Sequence, residues 1–392
     1  MASRQAQQFL DRLHENVWQG MNRTPRPRSA ADDTEAQGLI DQLLSLRSGL
    51  IGRKKTEELR AGLQRNERLL RATTVSKYED ARTIQGLHRL ADTMERAARI
   101  AGFPVPERPL LGTLPTGRVN VVTLVVPGTG EHLVLFESEF SGFAYLASKA
   151  VAELLPYRRT PDGGAAIELE PAKVRERLVR HPESARRFGE LVTAYLETGV
   201  PYNAPQYLQE PVRNTWAGVL CEAVQLFALG HEYGHILRGH LGQQRPAAWL
   251  GGPELAEPEE VAWSNQEEVE ADGEGLSLSI AAMQSMGYDL PVGFLGADFF
   301  FTMTHVLERA INVLRHGREN VSTGANATHP PSVLRRMVLR HVLSRHNTPE
   351  VESAIMLAGN LENAVELLWR DLRPHLLDAH RAGMRPLRQW RD

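Results

Sequence analysis

Val212 to Leu229, VRNTWAGVLCEAVQLFAL, runs through Gly230 into His231-Glu232-Tyr233-Gly234-His235, and this stretch decides how the chain is read. Apolar residues fall at Trp216, Val219, Leu220, Val224, Phe227 and Ala228, which is helical spacing, and no proline interrupts them. The pentapeptide therefore continues a buried helix. Positions four apart on a helix share a face, so both imidazoles can reach one metal ion while the glutamate stands beside it. That arrangement is the inner half of a zinc hydrolase site.

A structural zinc is closed by four side chains, commonly with cysteine among them, whereas a catalytic zinc takes three protein ligands and leaves a position for water. Cys221 is the only cysteine; in an apolar helix it reads as core filling, and neither a disulfide framework nor a Cys-rich zinc knuckle is available. The third ligand has to come from His, Asp or Glu. Gly239-His240 lies off the metzincin spacing, and an unbroken helix would turn His240 away from the His231/His235 face, which leaves helix-end capping or packing as its reading. Further on stands Gln266-Glu267-Glu268-Val269-Glu270-Ala271-Asp272-Gly273-Glu274-Gly275-Leu276. Glu268 and Asp272 are one helical turn apart, so the first can bind metal while the second hydrogen-bonds a ligand imidazole from behind. Glu270 stays open as an alternative third ligand, because spacing alone does not say which carboxylate faces inward.

The pairing of His-Glu-x-x-His with the later Glu268-Val269-Glu270-Ala271-Asp272 resembles the gluzincin zinc peptidases, and is similar in particular to their CAAX-prenyl-protease and heat-shock-protease (HtpX-like) branch. A third block, Thr328-His329-Pro330-Pro331 followed by Arg335, resembles that branch's downstream Thr-His-Pro segment. The resembling blocks span about residues 215 to 345. The resemblance implies a zincin-like metallopeptidase domain with one zinc ion per chain, held by His231, His235 and Glu268. It also implies Glu232 as general base, Asp272 as support for a ligand, His329 as stabiliser of the developing oxyanion, and Arg335 as holder of the local charge arrangement. The implied activity is hydrolysis of a peptide or protein substrate by metal-activated water. Two other readings stay open: a non-catalytic metal-containing binding or regulatory protein working through its N-terminal helices, and a zinc hydrolase of a non-peptide amide or ester.

Many members of that branch are membrane enzymes, and here the sequence departs from them. The longest apolar stretches, near Val121 to Val126, Phe140 to Leu155 and Ile280 to Phe301, are short or broken before about 20 uninterrupted apolar residues, so no membrane span is expected. The first twenty residues scatter charge and lack the apolar core of a signal peptide. With one cysteine, the expectation is a soluble, cytoplasmic protein. A net charge of −3 over 392 residues offers no general reason to bind nucleic acid. The charge is uneven: no Lys or Arg occurs between Arg245 and Arg309, while acids crowd Glu254 to Glu274. This favours docking of the basic ends, or of a basic substrate, onto the acidic middle, or is simply a solvated surface.

The length exceeds one ordinary core and points to about two domains. Residues 1–104 read as a helical accessory or regulatory region, with helices expected over Ala36 to Leu50, Thr56 to Ala72 and Glu79 to Ala101 and a joint at Thr24 to Arg28. This region covers the site, docks a partner, or packs onto the remainder. Within 105–345, the proposed catalytic domain, Arg118 to Val126 and Glu131 to Glu137 are β-rich and joined by Pro127-Gly128-Thr129-Gly130, a hairpin signal. An edge strand beside the cleft can pair with an extended peptide. Leu241 to Glu260 reads as a long loop, either a lid or specificity element or disordered. Residues 346–392 form a helical extension, helical from Thr348 to about Leu377. No Gly-x-Ser-x-Gly elbow or phosphate-binding loop is present. The expected class is α+β, predominantly helical, with a small antiparallel sheet.

Overall fold

The computed structural model describes residues 3–20, 76, 78–115, 121–159, 165–167, 170–243, 265–319 and 330–387. In chain order the described elements are α1 (Arg4–Gly20), α2 (Ala81–Ala101), β1 (Leu110–Leu114), β2 (Val121–Val125), β3 (His132–Glu137), α3 (Phe140–Ala152), β4 (Tyr157–Arg159) and β5 (Ala165–Ile167). They continue with α4 (Pro171–Arg180), α5 (Glu183–Thr198), α6 (Pro211–Arg238), α7 (Asn265–Ser285), α8 (Leu290–His316), α9 (Ser332–Ser344) and α10 (Pro349–Arg381). The described chain is thus predominantly helical with little sheet, as expected. The helices expected over Ala36–Leu50 and Thr56–Ala72, the joint at Thr24–Arg28 and most of the Leu241–Glu260 loop lie outside the described residues.

The helix expected over Val212–Leu229 is α6, and it carries the His-Glu-x-x-His run in its last turns. Pro211 opens it at a position where the missing N–H costs nothing. Gly239 closes it at φ 71, its N–H donating to the carbonyls of His235 and Ile236. Every residue from Leu226 to His235 is buried, so this end of the helix is enclosed on all sides, and α6 along its length packs against α7, α3, α8, α2 and β2.

The contact between α6 and α7 is close enough at several positions to admit only glycine. A Cβ on Gly275 of α7 would stand 2.6 Å from the His231 backbone nitrogen, and one on Gly234 of α6 would stand 2.7 Å from the Ala271 carbonyl oxygen. The α6 and α7 backbones therefore touch where the site residues lie.

The hairpin forms as its turn signal predicts, with β2 antiparallel to β3 and Val121 opposite Phe136. The sheet as a whole is mixed, which corrects the antiparallel expectation: β1 pairs parallel to β3 on its other side, in the order β1-β3-β2. LLGTL shows no polar alternation because both sheet faces are covered. Leu111, Val134 and Phe136 enter the main core, while Leu114, Leu133 and Leu135 meet Ala6, Phe9, Leu10, Leu13 and Val17 of α1. The main core runs from Ile84 in α2 to Leu376 in α10 and so crosses both divisions drawn at 104 and 345. The apolar run placed at Ile280–Phe301 divides differently in the structure. Helix α8 begins at Leu290 with Asp289 as its cap and reaches His316 unbroken, long and apolar enough to cross a membrane, yet 67% of its most apolar window is buried. It packs against α6, α7, α9 and α10.

Helix α1 is tied to β1 by buried polar groups. His14 Nε2 donates to the Thr113 carbonyl at 2.7 Å, and Glu79 accepts from the Thr113 N–H at 2.8 Å. Burial lifts the Glu79 carboxyl to about 7 despite that hydrogen bond.

Alanine in an exposed helix interior normally stabilises by about 0.5–1 kcal/mol over glycine, which is the outcome expected for Gly218→Ala, where no atom lies within 4 Å of the new methyl. Gly275→Ala is expected to act with opposite sign, destabilising by about 1–3 kcal/mol through the forced separation of α6 and α7, as denaturant unfolding of both variants will read. For Glu79, a carboxyl raised to about 7 stays protonated in the folded chain where the unfolded chain, at about 4.5, has released its proton; stability therefore falls as pH rises across that window. Glu79→Gln is expected to remove this component, its advantage over wild type growing from pH 5 to pH 8 by up to about 3 kcal/mol in unfolding titrations.

Candidate metal centre

Three elements and one strand build the centre. Helix α6 supplies His231, Glu232 and His235; α7 supplies Glu268 and Asp272; α9 supplies Arg335; and β2 supplies Thr123. All of these side chains are buried. The His231 and His235 Nε2 atoms face each other at 3.1 Å, and the Glu268 carboxylate oxygens lie 3.8 Å from the first and 3.5 Å from the second. One ligand atom from each of the three residues lies within 4.8 Å of the others.

Behind these atoms, His231 Nδ1 is 2.9 Å from an Asp272 oxygen, so this nitrogen carries a proton and leaves the Nε2 lone pair directed inward. Burial alone would lower the His231 pKa, but the Asp272 hydrogen bond and charge outweigh it and raise it. Burial lowers His235 to about 4, which keeps that ring neutral at ordinary pH. Arg335 forks onto Asp272, with Nε at 2.8 Å and Nη2 at 2.6 Å, and its Nη1 reaches Glu268 at 2.8 Å. Burial would raise the Asp272 carboxyl, but the Arg335 charge and hydrogen bond carry it below its ordinary range. Glu232 is oriented by Thr123, whose Oγ1 donates to Oε2 at 2.6 Å.

This donor set fits a divalent metal ion. Two imidazole lone pairs and a carboxylate converge in a buried space, an arrangement that is unfavourable unless positive charge sits among them. By formal charge, Glu232, Glu268 and Asp272 against Arg335 leave two negative charges among the described residues of the centre. A dication balances them, with both imidazoles in the neutral state that metal binding requires.

His231, Glu232, His235, Glu268, Asp272 and Arg335 are brought together. Glu270, the alternative ligand, points away: its side chain is 36% exposed, and it accepts from Gln266 at 2.8 Å and from His240 at 3.2 Å. His329 lies outside the described residues. Sequence reasoning passed over Thr123, which carries no signal beyond its place in a strand. It also passed over the contact of His240 with His235, for which Gly239 held the signal, since a left-handed residue there ends the helix and turns the chain back. A third omission is Glu95 of α2, which accepts from Tyr233 in the middle of the motif at 2.8 Å and is clamped by Arg108 at 2.7 and 2.8 Å. A cavity of about 670 Å³ between α5 and α10 is lined by none of the centre's residues.

Comparison of the chain with protein-family models, with curated proteins and with solved structures gives no match, so the reading of this centre rests on its own geometry.

Proposed function

We propose that the chain is a zinc-dependent peptidase of gluzincin type, similar to the CAAX-prenyl-protease and heat-shock-protease branch, acting on a peptide or protein substrate. The observation that carries the reading is the convergence of His231, His235 and Glu268 from two helices, with Glu232 beside them on the face of α6. A two-imidazole, one-carboxylate set is the ligand complement of a catalytic zinc with an open position.

The chemistry zinc supplies in such a site is Lewis-acid activation of water, whose pKa falls from about 16 to about 7. Glu232, oriented by Thr123, would accept a proton from an attacking water and deliver it to the leaving amine. Asp272 and Arg335 hold the His231 ring and the Glu268 carboxylate in place while charge moves. Strand β2 carries Thr123, so a substrate lying along this side of the sheet would meet Glu232 directly. His329 keeps its proposed part as oxyanion partner. The same centre would serve cleavage of a non-peptide amide, and product masses distinguish the two.

Metal analysis of purified protein is expected to find one zinc per chain. His235→Ala and Glu268→Gln are each expected to weaken binding by at least about 10-fold in chelator competition, and a wild-type chain that takes up no divalent ion would end the metal reading. Glu232→Gln is expected to retain zinc while cleavage falls by about 10²–10⁴-fold. If wild type, fully loaded, cuts nothing across diverse peptide libraries, the alternative of a non-catalytic binding protein takes its place.

A further inference from the structure

His231 has its own carboxylate in Asp272; at the outer nitrogen of His235 stands another imidazole, that of His240. Gly239, at φ 71, ends α6 and turns the chain back, so His240 at the start of the following 3-10 turn lays its ring against the last turn of the helix. The His235 and His240 rings meet edge to face with centroids 5.2 Å apart, and their Nδ1 atoms are 3.0 Å apart. On its far side His240 Nε2 lies 3.2 Å from Glu270, whose other oxygen accepts from Gln266 at 2.8 Å. Both histidines are buried.

With His240 neutral and Glu270 ionised, the contacts along this row set one arrangement. A carboxylate only accepts, so the His240 Nε2 carries the hydrogen it donates to Glu270. Neutral His240 then has a bare Nδ1, which accepts, and the hydrogen in the 3.0 Å contact belongs to His235 Nδ1. Neutral His235 is left with its lone pair on Nε2, the atom that faces His231 and Glu268. Asp272 produces the same tautomer in His231 by direct contact. Helix α7 therefore addresses both rings, one through Asp272 and one through Glu270 by way of His240, while Glu268, two residues before Glu270, faces inward. An imidazole filling space at a helix end would need no such alignment at both nitrogens.

We propose that His240, held by Glu270, is a positioning residue that fixes the tautomer and orientation of His235 toward the metal, the counterpart of Asp272 behind His231. The inference rests on the metal reading above. The test compares His240→Phe, which keeps a ring but no acceptor, with His240→Asn, whose side-chain oxygen can take the place of Nδ1. Zinc affinity of each chain is measured by chelator competition, and the ring-nitrogen shifts of ¹⁵N-histidine are recorded on zinc-free protein. Expected is a 10- to 100-fold loss of zinc affinity in His240→Phe with the unfolding midpoint little changed, and recovery to within a few-fold of wild type in His240→Asn. Zinc-free wild type is expected to show His235 protonated at Nδ1, with that preference lost in His240→Phe. Wild-type affinity in His240→Phe overturns the proposal, and so does an equal loss in both variants that follows a lowered unfolding midpoint. If wild type binds no zinc, the metal reading fails instead, and the tautomer of His235 decides the relay by itself.

Discussion

The contact on which the centre depends is between two backbones. At Gly230, Gly234 and Gly275 the helices α6 and α7 approach more closely than any side chain would allow. A carboxylate on α7 reaches only as far as its own short chain, so the spacing of the helix axes decides whether Glu268 meets the two imidazoles. Glycine at these positions lowers helix propensity in both elements. Burial of their apolar faces against α2, α3 and α8 offsets that loss, since tertiary packing supplies most of a helix's stability in a folded chain.

Around that contact the polar groups are arranged in layers. The inner atoms are lone pairs, and each inner group is held by another behind it: His231 by Asp272, Glu268 and Asp272 by Arg335, Glu232 by Thr123, His235 by His240. Buried charge is costly unless it is paired, and Arg335 is shared between two carboxylates and stacked over the Phe301 ring at 4.7 Å.

The N-terminal elements join this arrangement physically. Tyr233, between the two histidines of the motif, is hydrogen-bonded to Glu95 of α2, and Arg108 just before β1 grips the same carboxylate. Helix α1 in turn covers the sheet face opposite the main core. The sheet that carries Thr123 to Glu232 is thus held on one face by α1 and on the other by the helices of the centre.

Much of this was written locally in the chain. The apolar spacing of α6, the one-turn intervals of His231 with His235 and Glu268 with Asp272, the hairpin turn at Pro127–Gly130 and the caps of α2 and α10 all follow from backbone geometry acting within a few residues. What lay beyond that range needed the folded chain. Which of Glu268 and Glu270 faces inward depends on the rotation of α7 against α6, and that is settled by where glycine lets the helices touch. The parallel pairing of β1, the reach of Arg335 and Thr123 into the centre, and the return of His240 onto His235 join residues distant in sequence or separated by a break in the helix, and no periodicity records such meetings. Local spacing fixes the helices and the kinds of polar side chain they carry, whereas the meeting of His231, His235 and Glu268 in one buried space depends on the folded chain, because it rests on how closely separate backbones can approach.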